Sequence, residues 1–214
     1  MAREAILRKV IDPVPVFGGG EPPGPPLAAG RPIVSNARIA ILMFIAAETM
    51  FFAGLIGAFI VFRLAGPEWP PAFQPRLPVA VTGINTIILL LSGVTMHLAL
   101  RAARRGKSAA LLQRLVLTAV LGTIFLAVQG YEWIRLIHYG LTLSSGVYGA
   151  TFYTLIGCHG AHVAGAAIWL LAVLRHAWKG RFSERDYAGV QLSAMYWTFV
   201  VALWPVLYGL VYLY

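Results

Sequence analysis

The sequence predicts an all-α protein, a polytopic membrane helix bundle with five transmembrane helices. Of its 214 residues, 59% are hydrophobic and 12% are charged, whereas about one-quarter of a soluble domain is charged. The apolar residues fall into long segments at 39–62, 79–100, 115–137, 147–174 and 190–213. At about 1.5 Å per residue, each segment can cross a hydrocarbon core of about 30 Å. Because lipid offers the backbone no hydrogen-bond partner, each segment has to be a helix.

Residues 1–35 precede the first segment and predict a flexible, Gly/Pro-rich arm. Glycines at 18–20 and prolines between 22 and 26 prevent regular structure there. Basic residues occur near the N-terminus, but no apolar run follows them, so we expect no cleavable signal peptide. The chain therefore divides into a cytoplasmic arm at 1–35 and a five-helix transmembrane domain at 36–214.

The basic residues predict the orientation, because Lys and Arg concentrate in cytoplasmic loops. The arm and the second and fourth loops share one side and carry fourteen Lys and Arg residues, against three on the other side. We therefore expect a cytoplasmic N-terminus and a periplasmic Tyr214, in the inner membrane of a bacterium. The net charge of +9 then indicates the membrane surface and not nucleic acid as the partner. The residues expected to bind phospholipid head groups are Arg101, Arg104, Arg105, Lys107 and Arg175.

Ionisable residues inside the apolar segments are candidates for function, because they are costly at membrane depth. Glu48 lies in the first segment and Glu132 in the third, while the fourth holds His159 and His162, three residues apart on one helical face. Three hypotheses stay open for this cluster: a structural hydrogen bond between helices, part of a proton path, or a metal site. The metal hypothesis lacks a Glu-x-x-His or His-Glu-x-x-His string that would supply ligands from one helix.

We expect Glu132 and His162 to face each other, since sequential helices joined by a short loop are usually neighbours. Small residues such as Gly122 and Gly130 are expected where helices approach closely. The sequence has no nucleophile elbow, phosphate loop or Cys-x-x-Cys. It therefore predicts no catalytic residue and no catalysis by this chain alone. A small channel or transporter remains an alternative, although the five unequal segments show no inverted repeat.

Four strings resemble the cytochrome c oxidase subunit III family. They are AETMFF at 47–52, NT at 85–86 with SGV at 92–94, QGYEW at 129–133, and GVYGATFY at 146–153 running into GCHGAHV at 157–163. WPP at 69–71 and YW at 196–197 extend the resemblance over about 36–214. It implies the five-helix version of a family whose longer members carry two further helices.

The resemblance also implies a function, that of an accessory, non-redox subunit of a haem-copper oxidase. No cofactor is expected in this chain beyond bound phospholipids, while haem and copper are expected in the partner catalytic subunits. The implied partners are catalytic subunit I, other oxidase subunits, membrane phospholipids and a larger respiratory supercomplex. By the same resemblance, Glu48 matches the family's buried carboxyl, His159 and His162 its paired histidines, and Glu132 its third-span acid.

The last segment departs from the family pattern at three positions. Thr198 and Val201 stand where the family usually has His and Asp, and Gln191 stands where an acid is common. These departures indicate a divergent branch whose electron donor differs from soluble cytochrome c. A subunit accompanying a quinol oxidase or a nitric-oxide reductase is the alternative closest to this interpretation.

Overall fold

The computed structural model describes residues 35–66, 69, 71 and 75–214. Every regular element within these residues is helical. The elements are α1 (Asn36–Ala65), α2 (Val79–Arg104), α3 (Ser108–His138), α4 (Val147–Trp178) and α5 (Ala188–Tyr208), which continues into a π-helical turn at Gly209–Leu213. The five helices are long and apolar enough to cross a membrane, which confirms the predicted fold class. The arm at 1–35 lies outside the described residues apart from Ser35, and the orientation of the termini stays a prediction.

The helices are longer than the apolar segments because they continue through polar ends. α3 begins at Ser108, seven residues before its apolar segment, and α4 ends at Trp178, four residues after its own. Arg114 shows how a cation is accommodated in such an end, since its Nη1 donates to the backbone oxygen of Leu98 on α2 at 2.8 Å. Hydropathy thus marks the part of each helix suited to hydrocarbon, and it underestimates the helix length.

α5 lies at the centre of the bundle, and α1 lies at its edge. α5 packs against α1, α2 and α4, and its Trp197 and Trp204 are at most 1% exposed. α1 packs mainly against α4 and α5, and it buries only two of its residues, Phe52 and Phe59. Because the described residues cover so little of α1, its polar contacts with α4 contribute a large share of its attachment to the bundle.

Glycines allow close helix approach at some positions and leave open space at others. A Cβ at Gly122 of α3 would lie 2.6 Å from the Trp197 ring, whereas a Cβ at Gly130 would meet nothing within 4 Å. The Trp197 ring cannot easily move, because its Nε1 donates to Ser92 Oγ at 3.1 Å. Close approach to another helix of this chain therefore explains Gly122 but not Gly130.

Gly122→Ala should consequently destabilise the bundle by about 1–3 kcal/mol, as overpacking in a filled core does. Gly130→Ala is the matched control in the same helix, and it should leave stability unchanged or raise it, because Ala favours a helix over Gly. Unfolding in detergent, followed by circular dichroism, measures both. Equal losses in the two variants would contradict the close packing of α3 on Trp197.

Candidate functional site

Glu48 and His162 form a hydrogen-bonded pair between α1 and α4. Glu48 Oε2 lies 2.8 Å from His162 Nε2, and His162 Nδ1 lies 2.6 Å from the backbone oxygen of Cys158. A carbonyl oxygen can only accept, so Nδ1 carries a hydrogen and donates it. One further proton then lies between Nε2 and Oε2, whether it belongs to the imidazole or to the carboxyl. The pair is neutral overall in both cases, which suits a site at membrane depth.

Aromatic rings enclose this pair on the side of α1. The Phe52 ring centre lies 5.0 Å from that of His162 in an edge-to-face arrangement, and the Phe51 ring stacks on His162 at 6.1 Å. The side chains of His162 and Glu48 keep 21% and 16% of their surface exposed. The pair is therefore partly shielded and lies at the outer seam where α1 meets the bundle.

His159 lies one helical turn from His162 but does not join its hydrogen bond. It is 0% exposed and stacks on Trp204, with ring centres 5.0 Å apart and planes at 25°. Within the described part of the chain, neither ring nitrogen of His159 has a hydrogen-bond partner. His159 thus acts in this structure as a packing group between α4 and α5.

Glu132 pairs within its own helix and not with His162. It is 4% exposed, and its Oε1 accepts a hydrogen bond of 3.1 Å from Nη1 of Arg135. Arg135 in turn lies 5.9 Å from the Tyr131 ring centre and 6.0 Å from that of Tyr139. The predicted pairing of Glu132 with His162 is therefore wrong, because each residue is bonded to a different partner.

Depth along the α3–α4 hairpin explains the error. In an antiparallel hairpin, residues equally far from the connecting loop lie side by side. Glu132 is six residues from the end of α3 at His138, whereas His162 is fifteen residues from the start of α4 at Val147. At 1.5 Å per residue, the two differ in depth by about 13 Å. The prediction that α3 and α4 are neighbours is correct. Counting residues from the connecting loop pairs Trp133 with Tyr153, and their ring centres are indeed 6.5 Å apart.

Two of the three departures from the family pattern in α5 have structural uses. Thr198 Oγ1 lies 3.2 Å from His97 Nε2 on α2, so α5 does make a polar contact at this level. Val201 fills the space above Gly93, where an added Cβ would lie 3.1 Å from Val201 Cγ1. Among the described residues, the Gln191 side chain forms no hydrogen bond, and its backbone N–H donates to the backbone oxygen of Tyr187.

Several polar residues of α2 form hydrogen bonds to neighbouring helices, and the sequence analysis does not identify them as one group. Asn85 Nδ2 donates to the backbone oxygen of Phe125, Thr86 Oγ1 accepts from Trp204 Nε1, and Ser92 Oγ accepts from Trp197 Nε1. Thr95 and Thr118 share a further hydroxyl contact of 2.8 Å between α2 and α3. Asn85 and Ser92 are seven residues apart and Ser92 and Thr95 are three apart, and this helical spacing is the signal that the sequence offers for a shared polar side of α2.

The basic residues predicted to bind head groups lie at one end of the bundle. Gly106 of the α2–α3 loop, with a φ of +63°, lies so close to Glu184 that an added Cβ would be 2.7 Å from Glu184 Cγ. This contact brings the α2–α3 and α4–α5 loops together, and we call this end the basic end. No described acid forms an ion pair with the predicted cations there, Arg101, Arg104, Arg105, Lys107 and Arg175.

Metal binding needs several donor groups in one place. Within residues 35–66, 69, 71 and 75–214, no three His, Cys, Asp or Glu side chains come together as a candidate metal site. Glu48 and His162 are a pair of such side chains in contact, and they hydrogen-bond to each other.

Comparison with known proteins decides the family. The protein-family model described as cytochrome c oxidase subunit III matches residues 30–214. Cytochrome c oxidase subunit 3 of Synechocystis sp. is 37% identical over 174 residues, which cover 81% of this chain and 73% of that protein. The chain belongs to the cytochrome c oxidase subunit III family. As a member of this subunit III family, it is a multi-pass membrane protein of the respiratory chain.

Two further relatives show how widely subunit III similarity extends. Cytochrome c oxidase subunit 3 of Loxodonta africana is 35% identical over 188 residues, or 85% of this chain and 71% of that protein. The probable cytochrome c oxidase subunit 3 of Mycobacterium leprae is 33% identical over 175 residues, or 81% of this chain and 86% of that protein. Subunit III is part of an oxidoreductase complex in electron transport, and this membership favours an oxidase subunit over the channel or transporter alternative.

The position of the Glu48–His162 pair predicts that breaking it loosens α1 selectively. Glu48→Leu removes a hydrogen bond to an ionisable group, which contributes about 1.5–3 kcal/mol. Amide hydrogen exchange should therefore accelerate in the middle of α1 and stay unchanged in α3. Thr49→Val is the matched control, because among the described residues the Thr49 hydroxyl bonds only within its own helix, to the backbone oxygen of Ile45 at 2.8 Å. Equal acceleration in both variants would show that the pair does not hold α1.

Proposed function

We propose that this chain is the accessory, non-redox subunit III of a haem-copper terminal oxidase. It stabilises the catalytic subunit, binds phospholipids and supports proton uptake during aerobic electron transport. The observation that supports a structural role is that each of the four ionisable side chains of the predicted cluster has a use in the fold. Glu48 bonds to His162, Glu132 bonds to Arg135, and His159 stacks on Trp204. Haem and copper then belong to the partner catalytic subunits.

The outer face of α1 supports the proposed contact with catalytic subunit I. Met43, Met50 and Phe51 are between 46% and 77% exposed on this helix. No described atom lies within 4 Å of a Cβ added at Gly54 or Gly57, so these glycines leave room for the backbone of another helix. A surface of flexible, aromatic and small side chains is well suited to packing on a membrane protein.

The basic end supports the proposed binding of phospholipids in the bacterial inner membrane. Its cations have no described acidic partner, so anionic head groups can take that place. Each Lys or Arg near an anionic membrane surface contributes about 1 kcal/mol. With the basic end in the cytoplasm, the N-terminus is cytoplasmic and Tyr214 is periplasmic, as the positive-inside rule requires.

Removing the chain tests the proposal. The oxidase purified without it should show the same initial rate of oxygen consumption as the complete enzyme but inactivate after fewer turnovers. The reason is that an accessory subunit supplies stability and proton access but no redox centre. A complex that lacks this chain and has no initial activity, or haem or metal that leaves with the chain, would contradict the proposal.

Glu48→Gln provides a second arm of the same experiment. The amide can still donate to His162 Nε2, so a purely structural role predicts nearly normal turnover at every pH. A role in holding a proton for the catalytic subunit predicts slower turnover at high pH, where proton supply limits the rate. The ratio of the turnover rates at high and neutral pH therefore distinguishes a structural role of Glu48 from a role in proton supply.

A further inference from the structure

A cavity of about 360 Å³ lies between α3, α4 and α5, and we call it the α3–α4 cavity. The aromatic rings of Phe125, Trp133 and Trp204 form part of its wall. Ala161, which also lines it, is exposed, so the cavity is open on the outer side of the α3–α4 hairpin. This size and this largely apolar, aromatic lining are typical of small-ligand sites, which measure about 300–1,000 Å³ and occur between the helices of bundles.

Two side chains bring unpaired polar atoms to this cavity. His159 is 0% exposed, and among the described residues neither Nδ1 nor Nε2 has a hydrogen-bond partner. The indole Nε1 of Trp133 is also buried and lacks a described partner. Whatever its tautomer, a neutral imidazole offers one N–H donor and one acceptor, and an indole offers one donor. Buried groups of this kind cost free energy until something bonds to them, so they indicate a ligand that carries a hydrogen-bonding oxygen.

The two polar rings are held in place by packing. The His159 ring stacks on Trp204, whose Nε1 donates to Thr86 Oγ1 at 2.8 Å. The edge of the Trp133 ring lies against Gly160, where an added Cβ would be 2.8 Å from Trp133 Cη2. Because the two rings are fixed in this way, their polar atoms are oriented for a ligand before it binds, which favours affinity.

The depth of His159 places the cavity inside the membrane. His159 is twelve residues from the start of α4 at Val147, which corresponds to about 18 Å along a helix of 32 residues. A ligand that reaches this level from the outer side of the hairpin has to be soluble in hydrocarbon. Its oxygen atoms are therefore few, and most of its surface is apolar.

Two glycines in the wall keep the cavity open. Gly130 of α3 and Gly157 of α4 both line it, and a Cβ added at either would meet no described atom within 4 Å. Close packing among the described residues therefore does not require glycine at these positions. Larger side chains there would occupy part of the cavity, so the two glycines provide space for a ligand.

We propose that the α3–α4 cavity binds one membrane-dissolved molecule of the quinone class, with a ring oxygen at His159 and Trp133. A quinone carbonyl can accept from imidazole and indole N–H groups, and a quinol hydroxyl can also donate to an imidazole nitrogen. The flat ring suits the aromatic wall, and its tail can extend past Ala161 into the lipid. An acyl chain would fill the same space but leave these polar atoms unpaired. Binding involves no redox step and does not depend on the accessory role proposed above.

Photolabelling of the purified oxidase, with all its subunits, tests the site. The probe is an azido derivative of decylubiquinone, and mass spectrometry locates the labelled peptides. Label should appear in segments 125–133 and 156–164, and unlabelled decylubiquinone should displace it. n-Decylbenzene has the same tail on a ring without oxygen. It should displace the probe about 10-fold less well, because it makes none of the hydrogen bonds.

Two variants with matched controls examine the wall. His159→Phe keeps a ring that can stack on Trp204 but removes both nitrogens, and it should bind decylubiquinone about 10-fold more weakly. Its control is His176→Phe, which removes an exposed imidazole of α4 outside the cavity and should bind like the wild type.

Gly157→Leu should fill the cavity and abolish labelling, whereas Gly165→Leu, at an exposed glycine of α4 outside the cavity, should retain it. No described atom lies within 4 Å of a Cβ added at either glycine, so both leucine variants should fold.

Three results would overturn the inference. Absence of label from α3 and α4 in the wild type would show that no quinone enters the cavity, as when a helix of another subunit fills it. Equal displacement by decylbenzene, or wild-type affinity in His159→Phe, would show that the polar atoms take no part and that hydrocarbon fills the space. Labelling that survives Gly157→Leu would place the probe outside the cavity.

Discussion

A hydrocarbon environment offers no partner to a polar side chain, and the other features of this bundle depend on that constraint. The polar groups of α2 meet the indole N–H groups of α5 and a backbone oxygen of α3, so the three helices are held in one register. Glu48 meets His162 in the same way and attaches α1 to α4. Apolar contacts alone would distinguish poorly between helix faces in lipid, because the lipid tails are equally apolar.

The helices and their number followed from hydropathy and length, because those two properties determine what can cross a membrane. The partners of the polar residues did not follow in the same way. Helix adjacency alone predicts Glu132 opposite His162, whereas the two residues differ in depth along the hairpin. His162 instead bonds to Glu48 of α1, and Glu132 bonds to Arg135. His159 resembles His162 in sequence, yet its partner is the Trp204 ring, and only the packing of α5 against α4 determines that contact.

The weak attachment of α1 connects the fold to the proposed function. This helix buries little of its surface within the chain, and it carries the acid that pairs with α4. Its position at the edge of the bundle therefore suits a helix that packs on another subunit while one hydrogen bond and a few aromatic contacts hold it to its own. Phe44 against Tyr196, with ring centres 5.6 Å apart, is one of those contacts.

A double-mutant cycle of Glu48→Leu and His162→Leu tests most directly whether a polar pair fixes α1 on the bundle. The free energy of unfolding in detergent is measured for the wild type, the two single variants and the double variant. A direct hydrogen bond to an ionisable group predicts a coupling of about 1.5–3 kcal/mol, so that the double variant is less destabilised than the sum of the single variants. Strictly additive losses would contradict the account, because they would show that the two side chains act independently.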